Sequence, residues 1–303
     1  MKALDLFFAA RPLLHLPLWS VYLVSLHYHL KLSGESFQWY DLSILFCLSL
    51  MAAAAYYVNQ IYDCESDRLN QKLGFLQRGY LKEKQLRIFG IVLTVAALAV
   101  TLSLSLIVFF IFVQAMCLNY FYSVPPLRLK DRPVGGLMAN AYAFGWLVPF
   151  TVMPEITLHS SGLLNWGTPF YFFFAVAAVH VLTTIPDRDG DRAEGSITIA
   201  VWMHPIASRL LAVTLLAASG VVAWLCGYDI LFYVSSFSLL TTLGTFLSAS
   251  GKPVLLAAKL PILLLTLIAG YHFPAYLAFV VALMILTRIY YARRFAIVYP
   301  RLN

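Results

Sequence analysis

The sequence predicts an all-α protein: a polytopic membrane bundle of about ten transmembrane helices. Three observations predict it. Of 303 residues, 61% are hydrophobic and only 12% are charged, with a mean hydropathy of +0.79. A soluble chain of this length cannot hide so much apolar surface. The apolar residues also fall in stretches long enough, or nearly so, to cross a bilayer. Lys and Arg gather in loops that all lie on one face, as cytoplasmic loops do in membrane proteins. The net charge of +7 therefore reports orientation and contact with anionic membrane lipid, and implies no nucleic acid.

The elements follow in order. The opening "MKALDLFFAARPLL" lacks a small-residue cleavage site and reads as an interfacial lead-in, not a signal peptide. Spans are predicted at 12–31, 41–62, 86–103, 104–122, 134–154, 167–186, 206–226, 229–249, 253–271 and 274–292. The third and fourth are fused and, at about 1.5 Å per residue, too long for one crossing, so they predict a tight antiparallel hairpin. The loop after the second span carries Arg68, Lys72, Arg78, Lys82, Lys84 and Arg87. The loop after the fourth carries Arg128, Lys130 and Arg132, and the loop after the sixth Arg188 and Arg192. These loops share a face with Lys2 and Arg11, which the positive-inside rule places in the cytoplasm. The tail "RIYYARRF" (288–295) predicts the same side for the C-terminus and so an even number of crossings. Cys47, Cys64, Cys117 and Cys226 are scattered, with neither metal-ligand spacing nor a disulfide framework.

Two strings repeat a pattern. "DCESDR" (63–68) and "DRDGDR" (187–192) both read D-x-x-x-D-R, and each ends an even-numbered span. They suggest one transmembrane domain over 1–303, with pseudo-repeat halves at about 10–125 and 134–250 and extra C-terminal spans within 253–292. On a helix, Asn59, Asp63 and Asp67 form one polar stripe leaving the membrane. Asp187 and Asp191 repeat that spacing, although Pro186 and Gly190 predict an irregular helix end. Carboxylates at a membrane edge repel one another and resist desolvation. A hard divalent cation relieves both costs, and carboxylate and amide oxygens suit Mg²⁺. Either cluster alone reads first as a solvated, capped helix end; two on one face, each ending a long apolar helix, reverse that preference and favour the metal. The Pro-containing loop "NYFYSVPPLRLKDRPVGG" (119–136) brings Arg128, Lys130 and Arg132 to the same face, with Lys72 and Arg78 in reach. Each cation singly is explained by orientation. Metal-binding carboxylates beside phosphate-binding cations together describe a diphosphate site.

The chain resembles the UbiA superfamily of intramembrane prenyltransferases. "NQIYDCESD" is similar to the family's N-D-x-x-D-x-x-x-D first motif, "IPDRDGDR" to its second, and "YSVPPLRLK" to its Tyr-to-Lys loop; "RP" at Arg11–Pro12 also fits. Gln60 stands where the family often has Asp, Thr184 where many members begin the second motif, and "GFL" (74–76) where Arg-Pro-Leu is frequent. The resemblance implies an all-α, polytopic membrane helix bundle of nine, possibly ten, transmembrane helices around a central cavity; a half-length or re-entrant segment near 253–271 would reconcile the family's usual nine spans with the ten apolar stretches. The resemblance implies that Asn59, Asp63, Asp67, Asp187 and Asp191 hold Mg²⁺ and, through it, a diphosphate. Tyr122 and Lys130 would lie beside that diphosphate, and Arg11 on the acceptor side.

The expected activity is Mg²⁺-dependent transfer of an isoprenoid chain from a prenyl diphosphate to a lipophilic acceptor. An aromatic quinone precursor is the first expectation for that acceptor and a glyceryl-phosphate ether lipid the second. Tyr56, Tyr57, Tyr62, Phe121 and Tyr122 lie near the motifs and would shield an allylic cation. A secondary transporter is the alternative from another class. Transporters place ionisable groups at mid-membrane, where this chain has almost none. His180 comes nearest and reads as a hydrogen-bonded interior histidine. No general base is evident.

Overall fold

Long apolar helices dominate the computed structural model, which describes residues 2–69, 74–153, 163–247 and 251–300. Helix α1 (Lys2–Ala9) ends at a break where Arg11 takes a left-handed conformation (φ 52°), and a 3₁₀ turn, Pro12–His15, leads into α2 (Leu16–Ser33). Gly34 (φ 74°) stops α2, its N–H returning to the Leu30 carbonyl at 3.0 Å. The next helix, α3 (Trp39–Tyr62), opens with a reciprocal cap between Gln38 and Asp41. A short α4 (Cys64–Leu69) follows. Then come α5 (Glu83–Leu104) and α6 (Leu106–Ser123), parted only by Ser105 in extended conformation, the tight hairpin expected.

The fifth stretch is segmented. Helix α7 (Pro133–Asn140) passes into a π-helical stretch (Ala141–Leu147) and ends as α8 (Val148–Phe150). Beyond it lie α9 (Leu163–Ala193), the short α10 (Ile199–Trp202), α11 (Pro205–Leu225), α12 (Asp229–Gly244), α13 (Gly251–His272) and α14 (Pro274–Phe295). No strand occurs among the described residues. Nine helices among them are long and apolar enough to cross a membrane. Each of the ten predicted stretches has a helical counterpart. The segment expected to be short near 253–271 is instead the full-length α13, which runs through Pro261. The interrupted helix is the one at Pro133–Phe150.

Helix α2 sits at the centre. Every residue from Leu18 to Leu26 is buried, as expected of a helix apolar on all sides. Around it pack Ile44, Phe112, Tyr171, Phe172 and Leu231. The outer helices turn apolar side chains outward: Ile91, Val95 and Leu102 of α5 are each more than half exposed. Such a surface is stable only against lipid, and the chain is an integral, multi-pass membrane protein.

A second apolar cluster closes one end of the bundle. Phe8 of α1 stacks on Tyr290 of α14, with ring centroids 3.9 Å apart, and Phe75, Leu81 and Phe295 complete the cluster. At its heart Asp5 is almost fully buried. Its carboxylate accepts from Tyr290 Oη (2.5 Å) and from Arg294 Nε and Nη2 (3.0 and 2.9 Å). The first and last described helices therefore meet at one end of the bundle, the shared side that the basic tail predicts.

Candidate active site between two acidic helix ends

The first acidic stripe survives a joint in the helix. Asp63 caps α3 before α4 begins, yet the ladder continues: Asp63 N–H bonds the Asn59 carbonyl at 2.9 Å and Asp67 N–H the Asp63 carbonyl at 2.8 Å. Asn59, Asp63 and Asp67 thus keep the common face that their spacing predicts. The same face of α3, through Leu48, Met51, Ala52, Ala55 and Tyr56, lines a cavity of about 340 Å³ with Asn59 on its wall. The carboxamide of Asn59 makes no side-chain hydrogen bond among the described residues.

The second stripe is more regular than expected. Pro186 and Gly190 do not interrupt α9, which stays helical to Ala193. A proline forfeits one backbone bond, and packing in a long membrane helix makes up the loss. Asp187 and Asp191 are therefore stacked one turn apart. Asp187 is exposed and pairs with no side chain among the described residues; Asp191 Oδ2 accepts from Thr198 Oγ1 at 2.9 Å. Continued inward, this face of α9 passes Thr183, His180, Val176 and Phe172, which line a second cavity of about 260 Å³. Tyr56, Asn140 and Phe144 line both cavities, so the two chambers share a wall.

The basic loop ties the two acidic ends together. Asp63 Oδ1 accepts from Lys130 Nζ and from Arg128 Nη2, the latter at 3.3 Å. Arg128 Nε lies 2.6 Å from Asp131 Oδ2. Asp131 in turn accepts from Ser196 Oγ (3.0 Å) on its carboxylate and from the Ile197 N–H (3.1 Å) on its carbonyl, in the segment just after α9. A continuous polar bridge thus runs from Asp63 through the 128–131 loop to the end of the second motif. Tyr122, from α6, accepts a hydrogen bond on its Oη from Asn140 Nδ2 at 3.2 Å and lies within electrostatic range of Asp63, Asp131 and Asp191. Arg128 adopts a left-handed conformation (φ 40°), which costs energy in a residue with a Cβ and clusters at functional sites.

Other expected residues stand apart. Arg132 is exposed and donates to the Pro126 carbonyl within its own loop at 3.3 Å. Arg78 is exposed and sits over the Phe295 ring, 5.4 Å from its centroid, on the side of the terminal cluster. Lys72 lies outside the described residues. Arg11 is half-buried near Tyr56, Tyr291 and Tyr299, which puts it close to the wall shared by the chambers. Asp67 is buried and accepts from Gln77 Nε2 at 3.5 Å.

The donor set has the hard oxygen chemistry Mg²⁺ requires. Among the described residues no three His, Cys, Asp or Glu side chains gather closely enough to enclose a metal ion alone. That suits a cation completed by water and ligand phosphate rather than by an all-protein cage. Sequence reasoning passed over Asp131, which is hidden among cations and forms the middle of the bridge. It also passed over Asn140 and Phe144, whose place between the chambers depends on the π-helical stretch and leaves no periodic signal.

Comparisons place this geometry among known proteins. A digeranylgeranylglyceryl phosphate synthase from Sulfolobus acidocaldarius is 26% identical over 206 residues, covering 64% of this chain and 70% of that protein. A probable homogentisate phytyltransferase from Oryza sativa subsp. japonica is 26% identical over 172 residues, covering 55% of this chain and 45% of that protein. In fold, the chain matches a UbiA homolog from Archaeoglobus fulgidus solved with DMAPP and Mg²⁺, with a TM-score of 0.66 at 19% identity, over 89% of this chain and 99% of the other. The model of the UbiA prenyltransferase family matches residues 18–252, and the chain belongs to that family of intramembrane prenyltransferases.

Proposed function

We propose that the chain transfers an isoprenoid chain from a prenyl diphosphate to a lipophilic acceptor, with the diphosphate held between the two acidic helix ends. One observation carries the reading. The helix faces that line the two adjoining chambers both run outward into acidic stripes, and a cationic loop bridges those stripes. An amphiphile with an apolar tail and a diphosphate head fits such a site end to end.

Asn59, Asp63 and Asp67 on one side and Asp187 and Asp191 on the other would hold Mg²⁺. When bound, the metal supplies positive charge against the departing diphosphate. Lys130 and Arg128, already directed into the site, add charge to the same leaving group where it develops. Tyr56, Tyr122 and Phe144 present π-faces at the chamber walls, which keep water from the allylic cation and stabilise it. Positive-inside segregation puts this end of the bundle in the cytoplasm. The α3–α4 and α9 stripes are then equivalent parts of two half-domains in a single transmembrane unit.

An aromatic quinone precursor is the acceptor we favour, since both chambers have largely apolar walls. The digeranylgeranylglyceryl phosphate synthase likeness supports a second reading, a glyceryl-phosphate ether lipid. The test is purified protein with Mg²⁺, radiolabelled geranyl diphosphate and a panel of both acceptor classes. Expected are donor binding and transfer to one class, both abolished by EDTA. Failure to bind or turn over any prenyl diphosphate would refute the reading.

A further inference from the structure

His180 is the unused group in the second chamber. It lies on α9 seven residues before Asp187, two helical turns and about 10 Å along the axis, on the same face. It is half-buried and lines that chamber. The other polar groups around it are committed. Ser20 bonds Thr266 and Tyr276, each at 3.0 Å. Ser235 bonds Ser219 at 2.8 Å and Tyr171 at 3.2 Å. Ser238 donates to the Val234 carbonyl at 2.6 Å, and Thr183 to the His180 carbonyl at 2.8 Å. The ring nitrogens of His180 make no hydrogen bond among the described residues. An interior imidazole normally finds a partner; here the residue instead lines a chamber that adjoins the acidic site. The expectation of a hydrogen-bonded interior histidine is thereby corrected.

We propose that this second chamber receives the acceptor, a lipophilic molecule bearing a phenolic or alcoholic hydroxyl, and that His180 is a catalytic residue taking that hydroxyl's proton. The inference rests on the prenyl-transfer reading above. The C1–O bond of the donor breaks, and its electron pair leaves with the diphosphate. The acceptor oxygen bonds to C1 and its proton passes to a ring nitrogen of His180 and later to water; where a ring carbon conjugated to that oxygen bonds to C1 instead, the O–H proton again passes to His180, and the proton on the alkylated carbon is then lost to water as the oxygen takes one back, restoring the aromatic ring. The two turns between His180 and Asp187 leave room for the diphosphate and the reacting carbon between them. The larger chamber, walled by α3, α6 and the π-helical stretch, then takes the donor's tail, and Tyr56, Asn140 and Phe144 stand where the two substrates meet.

The test compares wild type with His180→Ala and His180→Gln. Geranyl diphosphate is the donor, and homogentisate and geranylgeranylglyceryl phosphate are the acceptor probes. Two rates are followed: transfer to acceptor, and slow Mg²⁺-dependent diphosphate release without acceptor. Removing a positioned proton acceptor is expected to lower kcat for transfer about 100-fold. Donor KM and acceptor-independent diphosphate release should stay unchanged. His180→Gln should recover acceptor KM without recovering kcat, a split that a purely structural role would not give. Transfer at the wild-type rate in both variants, or a parallel fall in diphosphate release, overturns the assignment while leaving the prenyl-transfer reading intact. A wild-type protein that neither transfers nor hydrolyses overturns both.

Discussion

Gln60 shows how one residue can leave a motif and keep a purpose. Its carboxamide is buried and donates to the Ala9 carbonyl at 2.6 Å and the Tyr56 carbonyl at 3.0 Å. It therefore braces the break before Arg11 instead of facing the acidic stripe. The stripe itself was legible in the sequence, because spacing by fours fixes a helix face whatever surrounds it. What the cations touch was not legible, since long side chains choose partners only in three dimensions: Arg78 went to Phe295 and Lys130 to Asp63. The same limit hid the open valence of His180, as periodicity names a face and not its neighbours. At this scale we expect Asp63→Asn, Asp67→Asn, Asp187→Asn and Asp191→Asn each to lower prenyl transfer at least about 100-fold, near 2.7 kcal/mol of barrier. Steady-state transfer assays check this, and wild-type turnover in any two variants would remove the metal-site assignment.

Helices could be read from hydropathy to within a few residues, but their irregularities could not. Pro186 suggested an irregular end, yet α9 runs seven residues past it, because packing and not propensity decides in a membrane. The π-helical stretch had no signature at all. Within it Gly145 packs so closely on α9 that a Cβ there would sit 2.5 Å from the Phe172 carbonyl oxygen and 2.6 Å from Phe173 Cα. Backbone cannot yield as a side-chain tip can. Gly145→Ala is expected to lower stability by about 1–3 kcal/mol, the usual cost of overpacking, and to widen the wall between the chambers. Thermal unfolding in detergent measures the first effect. An unchanged Tm would mean that the two helices are free to separate.

Across the whole molecule, the two ends of the chain are clasped beside the acidic motifs. The basic tail predicted that they share a side, but no pattern announced that Asp5 would be the partner of Arg294. That pairing joins the first and last helices of the chain, and Arg294 also covers the Tyr80 ring, 3.8 Å from its centroid. Tyr80, just before α5, is thereby tied to the terminal clasp. A buried carboxylate stripped of its cation is costly, so Arg294→Met should destabilise the fold by about 3 kcal/mol. The double variant Asp5→Asn/Arg294→Met should be more stable than Arg294→Met alone, since it removes the stranded charge as well. Paired melts in one detergent decide it, and a double variant no more stable than the single would refute a charge-based clasp.

Lys130 and Arg128 already occupy the carboxylate of Asp63. Both bonds fall on Asp63 Oδ1, so on the proposed reading a metal ion at this carboxylate would compete with two cations, and a diphosphate would offer those cations another partner. Metal alone should bind weakly, and metal with a diphosphate should bind synergistically. Calorimetry on Lys130→Ala should then show opposite changes, a stronger grip on Mg²⁺ by itself and a weaker one on Mg²⁺–geranyl diphosphate. On that reading the protein's own cations would hold the carboxylate in place until a diphosphate exchanged with it.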